Sequence, residues 1–191
     1  GESPQHFKGE FMKSFFLLYR PVFEIVCRIL GNGWRVNLLD DCQYRIKLTS
    51  PRFKNYSVHI RMDKGRLAII GSVDSRNWRS PCHTCTVSPQ RNPVEIAADI
   101  EKKILINALH DVETSREYEK KLQKKREERQ ILKGMLSQLV KLENWHGTLT
   151  GFKAVNGLNG HVTERGDGYE VLIRGLDIDQ LVKLSGLIKQ L

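Results

Sequence analysis

Long apolar runs are missing: no stretch approaches the ~20 residues needed to cross a bilayer. The nearest thing to a targeting segment is MKSFFLLY from Met12. Arg20 and Pro21 cut its apolar core to about six residues, short of the roughly 7–15 of a secretory signal. Met12 reads as a native start, which makes residues 1–11 a vector-derived extension. Cysteines are few, Cys27, Cys42, Cys82 and Cys85. One close pair is not the dense framework of a secreted mini-domain, so a reducing cytosol is expected. There is no GxxxxGK[ST], no GxGxxG opening a helix and no HExxH. Histidines 59, 83, 110, 146 and 161 show no ligand spacing, and nothing resembles a catalytic triad. A cytoplasmic, non-enzymatic protein without a cofactor and without a membrane contact is expected.

What is present is a basic excess: 31 Lys and Arg against 22 Asp and Glu, a net charge of +9 in 191 residues. Such a balance favours a polyanionic partner, most often nucleic acid. The organisation of the chain decides where that charge lies.

Phe11, Phe15, Leu18, Val22, Ile25 and Ile29 recur at helical spacing, which predicts an amphipathic helix ended by Gly31-Asn32-Gly33. Pro21 either kinks it or starts a second, shorter helix. The period then changes to two. Trp34, Val36 and Leu38 alternate with polar residues, as do Tyr44, Ile46 and Leu48, and then Val58, Ile60 and Met62. A fourth run, Leu67 to Val73, follows a hairpin signal at Asp63-Lys64-Gly65. Asp40-Asp41 and residues 50–55 read as the other turns. Short connections imply an antiparallel meander of four strands with the helix on its apolar face. Residues 74–92 read as a loop, with a short strand around Thr84 to Val87 allowed.

Asn92-Pro93 is a helix start, Asn as cap and Pro in the first helical position. Ala97, Ile100, Ile104, Ala108 and Val112 follow at helical spacing, widened by Leu105 and Leu109. One helix to about Leu142 would be on the order of 75 Å long; a break near Asp111 to Ser115, where the apolar stripe fades, would make it a helical hairpin. In the tail, Gly160 to Glu164 and Tyr169 to Arg174 read as strands around the Arg165-Gly166-Asp167-Gly168 turn. Asp177 caps a helix with Ile178, Leu181, Val182, Leu184, Leu187 and Ile188 on one side. The expected fold is therefore α+β. It has an N-terminal helix packed on a four-stranded antiparallel meander, a long central helix or helical hairpin, and a C-terminal ββα unit. The modules are 1–92, 93–142 and 143–191.

Residues 1–92 hold 15 Lys and Arg and 7 Asp and Glu, residues 93–142 hold 11 and 9, and residues 143–191 hold 5 and 6. The excess belongs to the helix-plus-sheet module. Its wet-face positions are Arg35, Arg45, Lys47, His59 and Arg61, with no acid and no aromatic among them. A cationic sheet face can follow a phosphate backbone, DNA or RNA, each neutralised phosphate releasing counterions. A merely soluble outer face accounts for the same pattern, since antiparallel sheets often face water on one side. Lys121, Lys125, Arg129 and Lys133 form a cationic row at four-residue spacing, on a mixed-sign helix of the kind found solvated or in coiled coils.

Cys82-His83-Thr84-Cys85 admits three readings: half of a zinc site, a redox pair, or two cysteines of a loop or edge strand. Zinc wants two more ligands, which only a fold contact from His59, Cys42 or His110 would supply. A redox pair wants a helix start, and Thr86-Val87-Ser88 follows instead.

Thr86-Val87-Ser88, Arg91-Asn92-Pro93 and Ile96-Ala97-Ala98-Asp99-Ile100-Glu101-Lys102-Lys103-Ile104-Leu105 together resemble a pattern in uncharacterised phage and mobile-element proteins, where it opens a long helix after a β-rich region. The resemblance covers about 20 residues closely. It implies a bacterial or phage cytoplasmic setting and no activity for any residue. The functional expectation is a nucleic-acid-binding accessory protein with phosphate contacts through the sheet face. The rival is a protein–protein adaptor or inhibitor that acts through the long helix and the tail, with a protein partner or as a homodimer.

Overall fold

A computed structural model describes residues 14–191. The expectations for residues 1–11, for Phe11 in the first helix and for Met12 as a start lie outside the described residues. Two compact units result, one ending at Lys120 and one beginning at Lys121. That division falls inside the long helix and not at 92/93 or 142/143. The architecture is α+β.

In the first unit, helix α1 (Phe15–Leu30) starts where the Ser14 hydroxyl accepts from the Leu17 amide at 3.3 Å and stops at Gly31. It is one helix straight through Pro21. Its packed side is Phe23, Val26 and Cys27, with Tyr19, Val22 and Leu30 partly buried beside them. The stripe expected to be buried is displaced from this side: Leu18, Ile25 and Ile29 are 54%, 44% and 45% exposed. The helix is apolar on most of its circumference, so spacing alone did not choose the face.

Five strands follow: β1 (Arg35–Val36), β2 (Arg45–Thr49), β3 (Tyr56–Asp63), β4 (Arg66–Val73) and β5 (His83–Val87). They pair antiparallel in chain order, so the meander has five strands and not four; the fifth covers the Thr84 to Val87 stretch. Between β3 and β4, Lys64 and Gly65 both have positive φ, 47° and 75°. This is the two-residue hairpin whose twist suits the flanking strands. On the inner face Ile46, Leu48, Val58, Ile60, Leu67, Ile69 and Val87 are fully buried against α1 and α2. Each such side chain contributes about 1.5–3 kcal/mol of transfer free energy.

Helix α2 (Pro93–Lys103) is capped by Asn92, whose side chain accepts from the Val94 amide at 2.9 Å. A single 3₁₀ turn, Leu105–Asn107, separates it from α3 (Ala108–Ser137). The interruption is thus at 105–107 and not at Asp111 to Ser115, and α3 stops at Ser137, short of Leu142. The apolar stripe fades near Asp111 for another reason: Asp111 and Ser115 are themselves buried, 4% and 6% exposed.

The second unit contains the rest of α3 and a four-stranded antiparallel sheet in chain order: β6 (Lys141–Glu143), β7 (Thr150–Lys153), β8 (Asn159–Arg165) and β9 (Gly168–Arg174). Helix α4 (Ile178–Ile188) ends it. The expected ββα tail is therefore ββββα. Strand β7 was hidden by Gly151, which has a tertiary cause: a Cβ there would meet the Trp145 ring at 2.5 Å.

Candidate nucleic-acid interface

The register of the first sheet sets its outer face. Arg45 stands opposite Arg61, Lys47 opposite His59, and Arg35 opposite Thr49. Alternation puts these five basic side chains on the side away from α1 and α2, together with Ser57, Asp63, Arg66, Ala68, Ile70, Ser72, Thr84 and Thr86, Asp63 standing opposite Arg66 at the hairpin end. The register brings no aromatic residue to this side, so bases have no stacking platform on it.

Two acids reach this face from the connections. Asp40 accepts both Nε and Nη2 of Arg45 at 2.9 Å, a bidentate pair. The hydrogen bond from Arg45 holds the Asp40 carboxyl below its ordinary value, and the same bond holds the Arg45 guanidinium above its own. Lys47 Nζ lies 3.3 Å from Asp74, which also accepts from the Ser57 hydroxyl at 3.0 Å. The face is consequently less positive than its five basic positions suggested, because Asp40 and Asp74 reach it from loops and Asp63 stands on it at the end of β3. Burial pushes the His59 imidazole below its ordinary value, and the charges of Lys47 and Arg45 push the same way. His59 is therefore a neutral member of the group at pH 7. Arg35 and Arg61 are exposed and, among the described residues, make no ion pair.

The helical row stands on one continuous helix. Lys121, Lys125, Arg129 and Lys133 are all exposed on α3, and Lys124 and Arg126 are exposed cations beside the row. Residues 121–137 hold six Lys and Arg against Glu127 and Glu128. Of the six, Arg129 is paired: it binds Glu164 of β8 through Nε at 2.9 Å and Nη2 at 2.7 Å. The balance over 93–142 had concealed this concentration, because an acidic stretch, 93–119 with three Lys and Arg against seven Asp and Glu, was averaged with a basic one, 120–142 with eight against two.

The cysteine pair is split by the strand it borders. Cys82 is exposed just before β5, and Cys85 faces the core, where burial pushes its thiol up. Between them His83 is fully used. Its Nε2 lies 2.7 Å from Asp111 Oδ2, and Asn107 Nδ2 lies 3.3 Å from its Nδ1. With Nε2–H donating to the carboxylate and Asn107 donating to Nδ1, the ring ties β5 to the start of α3. No three His, Cys, Asp or Glu side chains converge as a metal-binding group among the described residues, and no described helix is long and apolar enough to cross a membrane.

No family model matches the chain, and neither curated proteins nor solved structures show a similar one.

Proposed function

We propose that the protein is a non-enzymatic accessory factor that binds nucleic acid through its phosphate backbone, in the phage or mobile-element setting that residues 86–105 resemble. What carries the proposal is the register of β1 to β3, which gathers Arg35, Arg45, Lys47 and Arg61 on one solvent-facing side. Arg35 and Arg61 supply free charge there. Arg45 and Lys47 exchange Asp40 and Asp74 for phosphate at the cost of an existing pair, so their share is smaller. The exposed cations of α3 from Lys121 to Lys133 are a second phosphate-binding surface. Contacts of this kind fix position and carry little sequence information.

The test is retention of labelled DNA and RNA duplexes and single strands across salt. The logarithm of affinity is expected to fall linearly with that of salt, by about 0.9 per phosphate neutralised. Arg35→Glu/Arg61→Glu is expected to weaken binding at least tenfold and to lower that slope by roughly two. Negligible, salt-independent retention of every probe would overturn the proposal. Unchanged affinity in the double variant would overturn its assignment to the sheet.

A protein–protein adaptor is the second reading, favoured by one observation: no residue of α4 is buried.

A further inference from the structure

Helix α4 has everything a buried helix needs except burial. Its start is a capping box: the Gln180 amide donates to Asp177 Oδ1 at 2.7 Å, and the Asp177 amide donates to Gln180 Oε1 at 2.9 Å. Ile178, Leu181, Val182 and Ile188 share one side and Leu187 extends the apolar surface round the helix, yet Ile178, Leu181, Val182, Leu187 and Ile188 are 82%, 54%, 66%, 59% and 59% exposed. Eleven residues fall below the ~12–15 that a helix needs to persist alone in water, so packing against something else must supply its stability.

The sheet of the same unit has the matching deficit. Pairing of Leu142 with Phe152, and of Thr150 with Val162 and Val171, puts these five residues on one face. With Leu136 and Leu139 they line an open groove of about 220 Å³ whose lining is apolar apart from Thr150. Across residues 121–191, only Leu149 and Val162 among the large apolar side chains are buried. Strand β9 is the sheet's edge, with Tyr169, Val171 and Leu172 at 55%, 59% and 40% exposure.

We propose that a second copy of this chain completes this unit: in a two-fold dimer, α4 of each chain lies in the apolar groove of the other. Three observations select that occupant. The same unit carries both the ridge and the groove, so a two-fold pairing fills both at once. The exposed parts of the five side chains named on α4 and of Tyr169 and Val171 on the groove side of β9 amount to apolar area on the order of the 800 Å² per partner that a stable interface buries. Residues 143–191, which hold β7 to β9 and α4, carry 5 Lys and Arg and 6 Asp and Glu, so these elements of two copies meet without net repulsion.

The experiment is the mass of the full-length, nucleic-acid-free protein by sedimentation equilibrium over a wide concentration range. A species of twice 22.0 kDa is expected at the upper end. Leu181→Lys/Val182→Lys in α4, or Val171→Lys in the groove, should reduce it to 22.0 kDa while the cooperative unfolding of the first unit stays unchanged. Each variant keeps one half of the contact, so mixing the α4 variant with the groove variant should restore a dimer. A chain that has simply misfolded cannot give that outcome. A monomer at every concentration overturns the proposal, as does a mixture that stays monomeric. So does a dimer that survives both variants and is lost instead on Leu18→Lys/Ile25→Lys in α1. Retained protection of α4 in a monomer, which would mean that it folds onto its own sheet, overturns it equally. Since no nucleic acid is present, failure here leaves the phosphate-binding proposal intact.

Discussion

The two units convert similar apolar patterns into opposite results. In the first, one core cluster joins α1, the inner face of the five-stranded sheet and α2, with Phe23, Ile46, Ile60, Leu67 and Ile100 at 0% exposure. In the second, a capped amphipathic helix and an apolar sheet face remain in water. Charge divides the other way. Loop acids partly neutralise the basic face of the first unit, whereas the cations of α3 from Lys121 to Lys133 are open except at Arg129. An amphipathic pattern therefore states which side of an element is apolar. It does not state whether the same chain supplies the cover.

Equivalent changes in the two units should break that symmetry, most strongly in the core. Ile60→Ala or Leu67→Ala is expected to cost about 2–5 kcal/mol, as truncations at fully buried sites do. Leu181→Ala on α4, measured in denaturant below the dimerisation range, should cost under about 0.5 kcal/mol. Glycines give the next contrast. A Cβ on Gly71 would strike Ile104 and the Tyr56 hydroxyl, whereas one on Gly134 in α3 meets nothing. Gly71→Ala should destabilise by about 1–3 kcal/mol through overpacking, and Gly134→Ala should stabilise by up to about 1 kcal/mol through helix propensity; thermal unfolding of both variants decides. Asp111→Ala strips the buried tie to His83 and should cost about 2 kcal/mol, the usual loss for a hydrogen bond to a charged group.

The smallest effect is on the pH dependence of the first unit. His59 has a depressed folded value, so the unfolded chain takes up its proton first as pH falls below 6.5. The stability that neutral His59 contributes is complete above 6.5 and is lost as pH drops toward the folded value. Asp40 behaves alike lower down, with stability present above 3.8 and lost as pH falls through its lowered folded value. His59→Gln should flatten the stability profile just below 6.5 and Asp40→Asn the profile below 3.8, each read from denaturant midpoints across pH. Over the same range nucleic-acid affinity should not rise until pH falls well below 6.5, because His59 carries no charge before then.

The period-two runs made the first sheet legible in the sequence, as Lys64-Gly65 did its hairpin and Asn92-Pro93 the start of α2, because local spacing alone encodes these. The basic positions Arg35, Arg45, Lys47, His59 and Arg61 do share a face, since strand alternation and chain-order pairing were enough to put them there. What remained illegible depended on distant residues. Asp40 and Asp74 enter the face from connections. Buried Asp111, held by His83 from another element, looked like a polar break in a helix. Gly151 reads as a breaker until Trp145 is seen above it. The packed side of α1 was chosen among several apolar stripes by the sheet, one residue away from the side the spacing favoured.

Hydrogen exchange of the full-length chain at two concentrations, well below and well above the dimerisation midpoint, tests the contrast between the units most directly. Amides of β2 to β4 should be equally protected at both concentrations, while those of α4 should be protected only at the higher one. Equal protection of α4 at both concentrations, or α4 exchanging freely at both, would contradict the claim that the second unit finishes its core on another copy of itself.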